Sequence, residues 1–136
     1  MHQRIILVVE DNEDCRELLV FQLRRVGYNA IEADTGAKGL EKAVSELPDL
    51  IIMDLGLPVI DGIEATRRLK EEPKTRHIPI IVHTAWQEED RKKKALEAGA
   101  DQILTKPVSP RLLQETVQVF LGNNSRLVAS TNNDAA

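Results

Sequence analysis

This sequence predicts a doubly wound α/β domain, a five-stranded parallel sheet with five flanking helices, on three observations. Five short strand-like runs, IILVV, YNAIE, LIIM, PIIVH and QILT, alternate with longer stretches of helical periodicity, the pattern of repeated strand-helix units. The first run is apolar at every position rather than at alternate ones, as a strand buried on both faces must be. Four of the runs lead directly into chemically active residues: Glu10-Asp11, Asp54, Thr84 and Lys106.

The elements follow in order. RIILVV (4–9) reads as a fully buried strand. Glu13 to Val26 reads as a helix with Cys15, Leu19, Leu23 and Val26 on one face, closed by Gly27. Tyr28 to Glu32 is a strand. Thr35 caps a helix running to Glu46 whose inward face is Leu40, Ala43, Val44 and Leu47, and Pro48-Asp49 stops it before the strand at 50–53. Residues 54–62 form a loop, and Ile63 to Glu71 is a helix on the spacing of Ile63, Thr66 and Leu69. After the polar turn EEPKTRH comes a strand at 79–83, then a helix from Glu88 to Ala98 that ends at Gly99. The strand at 102–105 precedes the last helix, Arg111 to Leu121, with Ser109 as cap and Pro110 at its first position.

The chain of 136 residues suits one domain with a single core. A net charge of -4 argues against general affinity for nucleic acid or an anionic membrane. One cysteine, Cys15, rules out an internal disulfide and a cysteine-built zinc cage, and fits a reducing compartment. The apolar stretch Ile5 to Val9 is too short for a signal sequence or a membrane span, so the expected location is cytoplasmic. Residues 1–122 form the expected domain. From Asn123 to Ala136 the sequence loses periodicity and is expected to be a disordered tail, with no linker to an output domain.

Spacing places the four polar positions at one edge of the sheet. Thirty residues separate Asp54 from Thr84 and 22 separate Thr84 from Lys106, each compatible with one strand-helix-strand unit of about 30 residues. Side chains at the carboxyl ends of parallel strands converge in one crevice. Hard divalent cations such as Mg2+ take oxygen ligands. Asp11 and Asp54, with Glu10 nearby and a backbone carbonyl near Gly56, are therefore the expected metal ligands. An aspartate beside such a cation can attack a phosphoryl group, while Lys106 and the Thr84 hydroxyl stabilise the phosphoryl oxygens.

These residues resemble the receiver domain of two-component response regulators, particularly the single-domain kind. The resemblance rests on VVEDN, on IIMDLGLPVIDG with Pro58 and Asp61-Gly62, on HTA around Thr84, on EAGAD at 97–101, and on Lys106-Pro107. It spans Arg4 to about Leu121. It implies a flavodoxin-like strand order 2-1-3-4-5 and phosphorylation of Asp54 by a histidine kinase or histidine phosphotransfer protein. It also implies Mg2+ dependence, a cis Lys106-Pro107 bond, and a phosphorylation-dependent change in a protein-binding surface formed by the helix from Glu88, the strand at 102–105 and the last helix. The kinase side would meet the first helix near Asp14 to Leu18.

The chain departs from the usual pattern at three places. The acidic pair is Glu10-Asp11 rather than two aspartates, and the longer arm is expected to reach the metal through water. Ile103 stands where a Tyr or Phe usually couples to the threonine. Gly56 and Trp86 occupy the two variable positions that modulate phosphoryl lifetime in such domains. The bland readings are inert packing for Cys15, a packed strand position for His83, surface sites for His2 and His77, and a solvated helix face for Arg91 to Lys94. Two rival functions remain. A haloacid-dehalogenase-like phosphatase carries a second aspartate two residues after the first, where this chain has Gly56. A degenerate receiver acting only as an interaction module is expected to lack site residues that this chain retains.

Overall fold

The computed structural model describes residues 3–85 and 89–122. Ten elements alternate: β1 (Ile5–Val9), α1 (Glu13–Arg25), β2 (Asn29–Ala33), α2 (Gly36–Glu46), β3 (Leu50–Asp54), α3 (Gly62–Glu71), β4 (Ile80–Ala85), α4 (Glu89–Ala98), β5 (Gln102–Lys106) and α5 (Pro110–Leu121). All five strands pair in parallel in the order β2-β1-β3-β4-β5, as expected of a flavodoxin-like fold.

Because successive residues of a strand face opposite sides, the sheet divides the core in two. Leu7, Val9, Ile51, Met53, Ile80 and Val82 pack with Ala43, Ala65, Leu69 and Ala95 on the face covered by α2, α3 and α4. Ile6, Val8, Leu50, Ile52, Ile81 and Leu104 pack with Leu19, Leu23, Leu113 and Val117 on the face covered by α1 and α5. Near-complete burial of β1 and β3 on both sides accounts for their unbroken apolar sequence.

Local signals set the helix starts. Asn12, Thr35, Asp61 and Ser109 each accept a backbone N–H from the first turn of the following helix, which satisfies donors with no partner inside the helix. At the other end of α1, Gly27 has φ 98°, a conformation open to glycine at no steric cost.

Two expectations are corrected. Val44 and Leu47 do not face inward from α2; they are 41% and 51% exposed. The helix instead buries Gly36, Gly39 and Ala43. The reason is close approach: a Cβ at position 39 would lie 2.9 Å from Val9 Cγ2, so the small residues turn toward β1. Leu47 leaves the helix in the left-handed conformation, φ 46°. Second, β3, β4 and β5 extend past the apolar runs to include Asp54, Thr84-Ala85 and Lys106, because ladder hydrogen bonds use backbone groups whatever the side chain. The spacing expected of α3 holds: Ala65, Thr66 and Leu69 are buried, and the half-buried Ile63 packs against the same core. The expected tail from Asn123, Trp86, His2 and the start of the fourth helix at Glu88 lie outside the described residues.

Candidate functional site

The carboxyl ends of β1, β3, β4 and β5 bring the predicted residues to one edge. Glu10 leaves β1 with its N–H bound to the Ala33 carbonyl at 3.0 Å, and Arg16 holds the Glu10 carbonyl at 2.9 Å. The Glu10 side chain turns inward and is 1% exposed. Its Oε2 accepts the Asn12 N–H at 3.1 Å. Lys106 bridges the two buried carboxylates, with Nζ 3.1 Å from Glu10 Oε1 and 3.2 Å from Asp54 Oδ1.

Asp54, 5% exposed, ends β3 opposite His83 in the ladder. Thr84, the next residue of β4, is fully buried and pairs with Thr105, one step before Lys106. Asp11 is exposed at the rim. Oxygen atoms of Glu10, Asp11 and Asp54 nevertheless lie within 4.8 Å of one another. Gly56 is exposed, its backbone N–H hydrogen bonds Asp54, and a Cβ there would sit 3.8 Å from Asp54 Oδ2. The Lys106-Pro107 bond is cis.

Electrostatics follow from burial and proximity. Burial and the negative charge of Glu10 push Asp54 up to about 6, and Lys106 offsets only part of that. Burial acts in the same sense on Glu10, but the Asn12 N–H and the Lys106 ammonium outweigh it and hold that carboxyl below its ordinary value. Burial disfavours the Lys106 charge, yet Asp54 and Glu10 overcome this and raise it. One cation is thus shared between two buried anions, with a third carboxylate at the rim. A hard divalent ion fits this donor set: it would relieve repulsion that Lys106 alone leaves, and the exposed Asp11 side stays open for the waters such ions retain.

Around the site, several residues make contacts that the sequence pattern did not foresee. Asp61 caps α3 through Oδ1 at 2.9 Å from the Glu64 N–H, and its Oδ2 lies 3.5 Å from Arg91. Arg91 also donates to the Leu55 carbonyl at 2.8 Å, so the first residue of the basic run is tied to the β3–α3 loop instead of being a solvated side chain. A helical wheel of α4, with Ala95 as its one buried residue, is the signal that could have found it. A helix with so little apolar surface needs polar anchors. Ile103, half-buried, packs against the core on the α4 side. His83 is packed as expected, 3% exposed, and burial with the nearby Lys106 charge pushes it down to about 4. Burial and Glu10 push the Cys15 thiol up to about 11, consistent with low reactivity.

Comparison with known proteins agrees with the geometry. The response regulator receiver domain family matches residues 6–118. The chain is 44% identical over 116 residues to the alkaline phosphatase synthesis transcriptional regulatory protein PhoP of Bacillus subtilis, covering 85% of this chain and 48% of that protein. It spans about half the length of the transcriptional regulators it matches. It is 34% identical to the polar-differentiation response regulator DivK of Brucella ovis, covering 87% of this chain and 96% of DivK. The receiver domain of a sensor histidine kinase from Pseudomonas aeruginosa, with a magnesium ion coordinated in its active-site cleft, superposes with a TM-score of 0.83 at 33% identity, covering 89% of this chain and 99% of that one. No helix among the described residues is long and apolar enough to cross a membrane. With the strand order, the buried acid-lysine cluster and the matched family in agreement, the chain belongs to the response regulator receiver domains, the signalling modules that accept phosphate from histidine kinases.

Proposed function

We propose that residues 1–122 act as a stand-alone receiver that takes a phosphoryl group on Asp54 from a histidine kinase or histidine phosphotransfer protein and in response alters a protein-binding surface. The observation that carries this reading is the Lys106 ammonium held 3.2 Å from Asp54 Oδ1 beside two further carboxylates. Likeness to DivK, matched over 96% of its length, favours the stand-alone form.

Asp54, Asp11 and the Gly56 carbonyl would hold Mg2+, with Glu10 assisting. That ion supplies positive charge and orientation for phosphoryl oxygens. The chain's own residues do the rest. Asp54 offers a carboxylate oxygen as nucleophile, and burial keeps bulk water from competing. Lys106 follows the negative charge onto the phosphoryl oxygens, a charge-assisted contact that its place between Glu10 and Asp54 prepares in advance. Thr84 gives its hydroxyl to a phosphoryl oxygen, so the modified and free states differ in what that side chain can bond. On the input side, the exposed Leu18 and Phe21 of α1, 56% and 57% accessible, border an apolar groove against Pro110 and Leu113 of α5, a surface suited to a helical donor protein. A sustained phosphatase reaction would need an acid-base group that Gly56 lacks, so the protein signals and does not turn over phosphate esters.

Incubation with acetyl phosphate and Mg2+ tests this. Intact mass should rise by one phosphate, and Asp54→Asn should abolish the gain. Full labelling of that variant would place the acceptor elsewhere.

A further inference from the structure

The site above leaves one group unused. His83 is 3% exposed, yet neither Nδ1 nor Nε2 has a hydrogen-bond partner. Burying a polar group without a partner is unfavourable, so an orphaned imidazole inside a core invites a ligand. The residues around it supply more donors. A ring nitrogen of His83, the sulfur of Cys15 and a carboxylate oxygen of Glu10 all lie within 4.8 Å of one another.

We propose that Glu10, Cys15 and His83 form a second metal site, separate in character from the all-oxygen Asp11-Asp54 cluster and suited to Zn2+. A nitrogen, a sulfur and a carboxylate oxygen are the mixed donors that zinc takes and that Mg2+ does not. With bonds of about 2.1 Å to nitrogen and about 2.3 Å to sulfur, neighbouring donors on a tetrahedral ion stand roughly 3.5 Å apart. From separations within 4.8 Å, the cluster must therefore close by about 1.3 Å at most. Cys15 can supply that movement: it is half-buried in the first turn of α1, where it packs at the margin of the core.

The fourth position also has room. A cavity of about 210 Å³ opens beside the cluster, lined by Cys15, Leu19, His83, Lys106, Pro107 and Val108. Three protein ligands with space for a water is the arrangement of an open zinc site. On binding, the S–H bond of Cys15 breaks as the Zn–S bond forms, and the proton leaves to the solvent. The new thiolate charge offsets the repulsion between the ion and Lys106, which stands 3.1 Å from Glu10. Glu10 belongs to both clusters, so the two ions contend for one carboxylate.

Co2+, a spectroscopic stand-in for Zn2+, tests the site on the full chain in the reduced state. The wild type should develop a thiolate-to-cobalt charge-transfer band and a tetrahedral d–d spectrum, both displaced by one equivalent of Zn2+. Cys15→Ser should remove the charge-transfer band, and His83→Leu should weaken Zn2+ binding by at least the roughly 10- to 100-fold that loss of an outer partner of a metal ligand costs. Asp11→Asn should keep the band. If His83→Leu does not fold, the half-buried Cys15→Ser still decides the matter. A wild type without the band, or Zn2+ affinity unchanged in Cys15→Ser and lost in Asp11→Asn, would overturn the proposal by putting the ion in the acidic cleft.

Discussion

At the scale of single residues, Asp54 carries a liability that its function explains. Its folded-state value near 6 stands above the ordinary 3.8, a difference worth about 3 kcal/mol. The raised value means that this contribution to stability is fully present below about pH 4 and is lost as pH rises through about 6. Asp54→Asn should therefore stabilise the metal-free protein by up to about 3 kcal/mol at pH 7 and by nothing near pH 4, which urea denaturation at the two pH values would measure. Equal effects at both would show that the repulsion is relieved some other way. Gly56 is the complementary case. Its missing side chain leaves the space 3.8 Å from Asp54 Oδ2 without a group to orient water. Gly56→Asn is expected to speed loss of the phosphoryl group at matched Mg2+, followed by intact mass over time. Asp54 and Lys106 were legible in the sequence because each ends an apolar run. The inward turn of Glu10 was not, because its burial depends on Lys106 arriving from a strand 96 positions later.

At the scale of elements, two contacts fix the loops around the site. A Cβ on Gly62 would lie 2.1 Å from the Asp54 carbonyl oxygen, so α3 can start where it does only with glycine there. Gly62→Ala should destabilise the fold by roughly 1–3 kcal/mol, the usual penalty for overpacking, visible as a lower denaturation midpoint. Helix α4 is held differently. With Ala95 its one buried residue, it relies on Arg91 at the Leu55 carbonyl and Lys92 at Thr105 Oγ1, 2.8 and 3.2 Å. Arg91→Ala should leave global stability nearly unchanged while raising amide exchange across α4 by about tenfold, the equivalent of one lost hydrogen bond. Unchanged exchange would mean that other contacts hold the helix. Strand positions were readable from apolar runs, since buried parallel strands have a plain signature. The face of α2 was not, because periodicity marks large apolar residues as inward and here Gly36 and Gly39 do the close packing.

At the scale of the whole molecule, the acidic edge couples metal to folding. A ligand bound only by the native state stabilises it by mass action, about 2.7 kcal/mol at a hundredfold excess over Kd. Mg2+ should raise the melting temperature, and Asp11→Asn should remove most of the rise; an unchanged rise in the variant would locate the ion elsewhere. Fold class was legible throughout because every level of the sequence agrees with it, from caps to strand runs. Which helices cover which face was not, since it depends on how the strands alternate once paired. That alternation gives β4 a particular vulnerability. Ile81 faces α1 and α5 while Val82 faces α3 and α4, so His83 and Thr84, adjacent on the chain, look into opposite compartments. Removing a single residue from the strand would exchange their destinations, sending the hydroxyl toward Cys15 and the imidazole toward α4. Removing two would restore each to its own side but draw both back from the rim. The reading frame of this strand, more than the identity of any one of its apolar residues, is what keeps the hydroxyl on the side of the phosphoryl site.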